Sequence, residues 1–577
     1  MDTMARNRIV AVLWLLCPLV GWMMAMHVTY PSHLRGRAKL DYFFELAQYT
    51  PHSRALIAGV VAGFVVAGLL TWMVIRLMDS PFGGRYFSRF LRGTKIVSFD
   101  RLRSTTRERK TAQVAIGGVP IPTRVEATHF LIAGATGAGK SVAIRSLAYT
   151  IRKRGDRMIA VDPNGDLLST LYLKGDRILN PYDGRTEGWS IFNELRNPYD
   201  YKRYALSLVP RGASAEEEEW AGFARLLVSS TARRLVERGT PSIQELIRRT
   251  TLEHPASLHQ FLAGTDAESL FVGADKALAS ARFMLADKIT SHRDMPPGTF
   301  SIRDFLEHGQ GSLFIPWRED MAEAMKPLLS TWVDVICTSI LSTPEDTGAR
   351  IWLLMDELAS LDKLPSLQAA LTKGRKHGLR VVGVLHAPSE LDNLYGRDEA
   401  ETLRASMRSL IVLGGSKSSP STTRFLSDAL GQHEVTRTER GMSSSPRSTS
   451  RSRRENTERE AVVMPEEIAS LGELGAYIAF SGDFPIAKGT LPVLTFKEQC
   501  KPFVERPAPS PAGSAPVATP QADANAAMAP PDAMLDRDLQ DEPPPDAGGN
   551  AMAHDRDARA QDHGREADAG RSMDAGG

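Results

Sequence analysis

Eight residues constrain this chain more than any other feature. Gly134, Ala135, Thr136, Gly137, Ala138, Gly139, Lys140 and Ser141 match G-x-x-x-x-G-K-[ST] at every fixed position. An apolar run, HFLIAGA, enters the loop, and an amphipathic stretch from Val142 to Arg152 leaves it. Glycines let a backbone wrap closely around phosphates, and the N-terminus of the following helix adds partial positive charge. In such a loop Lys140 reaches the β- and γ-phosphates of ATP, and the Ser141 hydroxyl ligates Mg2+. A chance Gly-rich turn before a helix accounts for neither the full match nor both flanks.

A phosphate-binding loop needs an acidic partner on a neighbouring strand. Ile351 to Glu357 reads IWLLMDE, five apolar residues ending in two carboxylates. A buried strand delivers Asp356 to its C-terminal edge, where open α/β sheets bind ligands. Asp356 is the expected Mg2+ ligand, directly or through water. Glu357 is the expected general base for hydrolysis. An Asp-Glu pair alone could simply close a strand; its pairing with the loop makes it a site.

Other short apolar runs surround these two: RMIAVD, SLFIPW, LRVVGVLH and SLIVLGG. With longer amphipathic stretches between them, they read as buried strands of a parallel sheet covered on both faces, an α/β fold. Tyr201 to Pro297 breaks the alternation. It has helix-period stretches, for example Glu216 to Glu237 and Ala274 to Lys288, and no clear strand. The expected layout is a nucleotide-binding domain in two parts, 81–200 and 299–502, around an all-α segment at 201–298.

Two uncharged runs precede this body. Ile9 to Met26 and Ala55 to Ile75 are both apolar, the second bracketed by Arg54 and Arg76. About 20 apolar residues cross a bilayer as a helix. A signal peptide is the other reading of the first run, but no A-x-A site follows it. From Arg76 to Lys110 there are ten basic side chains against three acids, whereas the stretch between the runs has only four bases, partly offset by Asp41 and Glu45. The positive-inside rule then puts both termini in the cytoplasm, with residues 1–80 as anchor and helices at about 9–28 and 55–77. Gly59 and Gly63 form a G-x-x-x-G, but glycine is common in membrane helices and the pair reads as composition only.

Charge is uneven. Phe503 to Gly577 carries 14 acids and 6 bases, a net of −8, so the remaining residues carry +10 of the chain's +2 total. A mildly basic body is compatible with nucleic acid. The Pro/Ala/Asp-rich stretch 503–577 reads as a disordered acidic tail. Arg437 to Glu460, rich in Ser and Arg without apolar periodicity, reads as a mobile basic loop. Cys17, Cys337 and Cys500 form no CxxC pair, which argues against disulfide and zinc frameworks.

The runs Asp356 to Gly396 and Gly175 to Leu195 resemble the type IV coupling proteins of bacterial conjugation, the TraD/TrwB type. The resemblance extends from the apolar helices to about Lys497. It implies a RecA-like P-loop domain with an inserted all-α domain, two transmembrane helices in the inner membrane, and a homohexamer. It also implies a DNA-dependent ATPase using ATP and Mg2+, which hands single-stranded DNA, with double-stranded DNA as a further ligand, to a type IV secretion channel. Relaxase and relaxosome proteins and channel proteins are the partners implied. One departure stands out: the family's strand at LRVVGVLH usually ends in Gln near the γ-phosphate, and here it ends in His386. A neighbour's arginine often stabilises the transferred phosphoryl in such rings. Arg375 is the choice for that role, and Arg124 a weaker candidate for the nucleotide pocket. A receptor ring that binds ATP without pumping DNA is the alternative. A chromosome-segregation pump would call for more spans and a winged helix, and an ABC ATPase for an LSGGQ-like signature.

Overall fold

Among the described residues, ten strands build one sheet: β1 (Ile96–Ser98), β2 (Phe130–Ala133), β3 (Arg157–Pro163), β4 (Arg177–Ile178), β5 (Leu313–Trp317), β6 (Ile351–Met355), β7 (Leu379–Leu385), β8 (Ser409–Leu413), β9 (Gly475–Ala479) and β10 (Ile486–Thr490). The computed structural model describes residues 3–31, 37–78, 89–212, 214–271, 275–345, 348–445 and 448–507. Across the sheet the order is β1-β10-β9-β8-β2-β7-β6-β3-β5-β4. From β8 to β4 every neighbouring pair is parallel, whereas β9 runs antiparallel to both β8 and β10. The sheet is therefore mixed at one side, where the sequence reading expected a parallel sheet.

Side chains alternate across each central strand, as a pleat requires. In β6, Ile351, Leu353 and Met355 feed one apolar layer, while Trp352 and Leu354 feed the other. Val381 and Val382 of β7 divide in the same way. The helix Lys140–Arg154 covers one face through Ile144, Leu147 and Ile151. The other face packs on the helix Ala322–Leu341, which is apolar enough to cross a membrane but lies 78% buried within the protein. That burial makes it a core helix.

Between Asp200 and Asp294 the described elements are all helical, the longest being Ala215–Glu237 and Asp275–Ile289. Their apolar residues, such as Leu227 and Leu285, belong to the same cluster as Leu353 of β6. Two buried polar groups hold the helix Ile302–His308 in place. Arg303 donates to both oxygens of Asp200 at 3.1 Å. Glu194 accepts from Trp189 Nε1 at 2.8 Å and from the backbone N–H of Ile302 and Arg303 at 2.7 and 3.1 Å, closing the first turn of the helix Ile302–His308.

At the N-terminus the helices Thr3–Thr29 and Arg54–Met78 pack side by side, and each contains a window apolar enough to cross a membrane. The chain between them carries a further helix, Arg37–Tyr49. Gly59 and Gly63 lie at the contact and are not mere composition. A Cβ on Gly59 would stand 2.5 Å from Ala25 Cβ and 2.6 Å from the Gly21 carbonyl oxygen, and one on Gly63 would stand 2.4 Å from the Cys17 oxygen. Trp22 Nε1 donates to Thr50 Oγ1 at 2.9 Å at the end of the same pair.

Two segments differ from their sequence reading. The stretch expected as a mobile basic loop forms a long antiparallel hairpin, Gln432–Ser445 with Ser448–Ala461, and its base pairs with the strand Arg89–Gly93. Its ladder is closed by backbone hydrogen bonds, which do not need the apolar alternation that sequence reading relies on. The first residues of the expected tail belong to the fold. Residues 503–507 are held: Gly184 N–H donates to Val504 O at 2.7 Å, and Arg506 N–H to Tyr182 O at 2.9 Å. The remainder of the expected tail, 508–577, lies outside the described residues.

Candidate nucleotide site

The glycine-rich loop joins the C-terminal end of β2 to the helix Lys140–Arg154. Its backbone is anchored on two flanking strands. Gly134 N–H donates to Leu385 O at 3.3 Å, and Ala135 N–H to Gly414 O at 2.8 Å. Gly137 and Gly139 adopt φ of +77° and +104°, the left-handed region that side chains disfavour. Space is short as well, because a Cβ on Gly139 would lie 2.6 Å from Leu474 Cδ2.

Lys140 is buried, and its ammonium is held at 3.0 Å by the carbonyl oxygens of Gly134 and Ala135. Its third partner is His386 Nδ1 at 2.9 Å. Burial pushes the Lys140 pKa down, and the charges of Asp356, Glu390 and Glu357 push it back up. His386 sits at the end of β7; its Nδ1 also lies 3.3 Å from Thr136 Oγ1 and its Nε2 3.9 Å from Glu357 Oε1. Its backbone N–H donates to Glu390 Oε2 at 3.1 Å. Ser141 occupies the exposed first turn of the helix.

Asp356 follows β6 directly. Its N–H donates to Val161 O at 3.3 Å, which continues the β3–β6 ladder past the strand end. Burial raises its carboxyl to about 7, with Asp166 and Glu357 adding to the rise while Lys140 and Arg145 oppose it. Three strand ends, of β2, β6 and β7, therefore bring Lys140, Asp356, Glu357 and His386 to one edge of the sheet. Such an edge can take a triphosphate at the loop, a divalent cation at the carboxylate and a water beside Glu357.

Arg375 and Arg124 are not at this edge within their own chain. Arg375 is exposed on the turn Gly374–His377, ahead of β7. The seven residues of β7 span roughly 20 Å, so Arg375 stands at the opposite edge from His386. Arg124 precedes β2, with its guanidinium 5.0 Å from the centre of the Phe484 ring. Within its own chain Arg124 thus stands away from the glycine-rich loop.

The structure adds residues that sequence reading passed over. Asp162, at the end of β3, is fully buried and accepts from the N–H groups of Leu167 and Leu168 at 3.0 and 2.7 Å. It thereby fixes the loop that presents Asp166, whose carboxylate meets Arg145 at 3.1 Å. The signal was present, since RMIAVD ends in a carboxylate just as IWLLMDE does. Gly165, in the same loop, has φ of +69°, and a Cβ there would lie 2.5 Å from Pro502 O. Residues 496–506 cross this region as a strap: Phe496 against Tyr149, Gln499 N–H on Ser169 O at 2.7 Å, Pro502 on Gly165, and Arg506 on Asp294 O at 3.1 Å.

A mixed sheet with a glycine-rich loop at the end of a central strand, and an acidic pair one strand beyond its neighbour, defines a P-loop nucleotide-binding protein of RecA-like fold. The particular family follows from comparison. Residues 113–492 match the family model described as type IV secretion-system coupling protein DNA-binding domain, and the chain belongs to that family. The solved conjugative coupling protein TrwB is 55% identical, with a TM-score of 0.70 over 74% of this chain and 99% of that one. A TrwB structure in complex with ADP and Mg2+ superposes with a TM-score of 0.69, at 55% identity over 74% of this chain and 100% of that one. Coupling protein TraD of Escherichia coli (strain K12) is 27% identical over 476 residues, 79% of this chain. The chain spans 65% of the length of that TraD.

Proposed function

We propose that this protein is a membrane-anchored, DNA-dependent ATPase that couples a relaxase–DNA complex to a type IV secretion channel and drives single-stranded DNA through it. The observation that carries the reading is the convergence of Lys140, Asp356 and Glu357 on one sheet edge. A site that only bound nucleotide would need the first two; Glu357, beside the position of the γ-phosphate, supplies the base that hydrolysis needs. ATP with Mg2+ is the ligand this set fits, with Ser141 and Asp356 on the metal and residues 134–141 around the phosphates. TrwB's complex with ADP and Mg2+ supports that choice. His386 takes the place at the γ-phosphate, and Arg375, exposed at the far edge, is available to a neighbouring copy in a ring.

The two N-terminal helices anchor the protein in the inner membrane, with the body in the cytoplasm. The helices between Asp200 and Asp294 form the all-α domain that meets the DNA-processing complex. The test uses full-length protein in proteoliposomes. Single-stranded DNA should stimulate ATP hydrolysis, and Lys140→Thr and Glu357→Gln should each abolish it, with Glu357→Gln still binding nucleotide. Undiminished turnover in Glu357→Gln would favour a ring that binds ATP as a receptor over a motor.

A further inference from the structure

The helix Arg37–Tyr49, in the chain between the two apolar helices, does not stand clear of them. The ring of Phe43 lies 6.0 Å from that of Trp22, and Leu46 is buried with Trp22, Met26 and Leu56. The Tyr42 hydroxyl donates to Tyr30 O at 3.3 Å. The apolar window of the first helix runs from Val10 to Thr29, so Trp22 lies seven residues inside its end. Seven residues of helix rise about 10 Å, and helical side chains lean toward their own N-terminus, which here is deeper still. The short helix therefore lies beside the apolar window and not beyond it.

Its surface divides into three stripes. Phe43 and Leu46 face the helix pair. Asp41, Glu45 and Gln48, spaced to share one side of a helix, are polar and exposed. Phe44 and Ala47, each about 100° further round than Phe43 and Leu46, make an exposed apolar stripe in between. The Phe44 side chain is 71% exposed, as open as Met24 (70%) and Val28 (80%) at the same level of the first helix. Exposed apolar surface at the level of the apolar window is met by the medium that surrounds the window, and hydrocarbon suits all three side chains where water does not.

We infer that the helix Arg37–Tyr49 lies in the bilayer interface, with Phe44 and Ala47 against phospholipid acyl chains and Asp41, Glu45 and Gln48 toward water. This rests on the membrane-anchored reading above. An amphipathic helix in the interface buries its apolar face about 5–10 Å below the headgroup boundary, which matches the depth at which Phe43 meets Trp22. Aromatic rings collect in the same zone, and Trp22, Tyr30, Tyr42, Phe43 and Tyr49 all stand at this end of the pair. The segment between the apolar helices is thus a lipid contact of its own, and its polar stripe is the side left open to water.

The experiment places p-benzoylphenylalanine, close in shape to phenylalanine, at Phe44, Glu45 or Val65 of the full-length protein in phosphatidylcholine vesicles. Val65, 57% exposed on the second apolar helix, reports on the anchor itself. After irradiation, trypsin releases Leu40–Arg54 and Ala55–Arg76, and their masses show what each probe touched. The probe at Phe44 should capture phosphatidylcholine at least about tenfold more than the probe at Glu45, and about as well as the probe at Val65. Lipid captured at Val65 but not at Phe44 would overturn the inference. So would a link from Phe44 to another protein chain, or equal capture at Phe44 and Glu45. No capture at Val65 would contradict the anchor, and the inference with it.

Discussion

Lys140 Nζ lies 2.9 Å from His386 Nδ1 and completes its set of three acceptors with the carbonyls of Gly134 and Ala135. An ammonium has three protons and no lone pair, so Nδ1 accepts and the imidazole proton resides on Nε2, toward Glu357. A glutamine at this position would offer a carbonyl oxygen for the same purpose. His386→Gln should therefore keep ATP turnover within about threefold. His386→Ala removes an acceptor from a buried charge, a loss of about 1.5–3 kcal/mol, and should cut turnover roughly 10- to 100-fold. Steady-state ATPase assays on the two variants check this; equal loss in both would exclude the acceptor role.

Stability should fall as pH rises through neutrality. Burial holds the Asp162 carboxyl at about 7, against the two amides that favour its charged form and with Asp356 and Asp166 adding to the rise. A folded pKa above the unfolded 3.8 contributes stability that is complete below about 4 and lost as pH climbs through about 7. Asp162→Asn should flatten the melting temperature against pH across that window. An unchanged slope in differential scanning fluorimetry would contradict the buried-carboxyl account.

Gly59→Val should pry apart the two N-terminal helices. The new side chain would meet Ala25 Cβ and the Gly21 oxygen, at 2.5 and 2.6 Å from its Cβ alone. Overpacking at a close helix contact costs about 1–3 kcal/mol. Thermal denaturation in detergent should show the loss, and Gly68→Val, whose Cβ meets nothing within 4 Å, should not.

Arg303→Met strands Asp200. The pair is buried and doubly hydrogen-bonded at 3.1 Å, so removing one partner leaves the carboxylate with Arg203 at 3.5 Å as its remaining counter-charge. Destabilisation of about 3–5 kcal/mol is expected, and Asp200→Asn combined with Arg303→Met should recover part of it. Denaturant unfolding of the single and double variants measures the recovery.

What the sequence made legible was what depends on local pattern. Six apolar runs became central strands because each is buried on both faces and reads as a continuous block. The loop, Asp356 and Glu357 followed from spacing alone. The short β1 and β4 carry too few residues to register, and the Ala/Gly-rich β9 lacks a strong apolar signature. The hairpin was missed because its strands satisfy backbone groups without burying a face. The contact at Gly59 depends on a partner helix some 40 residues away in the chain, which a G-x-x-x-G cannot specify by itself.

The strap over Gly165 gives the far end of the chain a hold on the site. With Pro502 O seated where a Cβ of Gly165 would be, and Arg506 hydrogen-bonded to Tyr182 and Asp294, the loop that carries Asp166 and the strap are shaped to each other. Any side chain at position 165 would displace Pro502, so the glycine there serves the strap's seat as much as the turn's backbone.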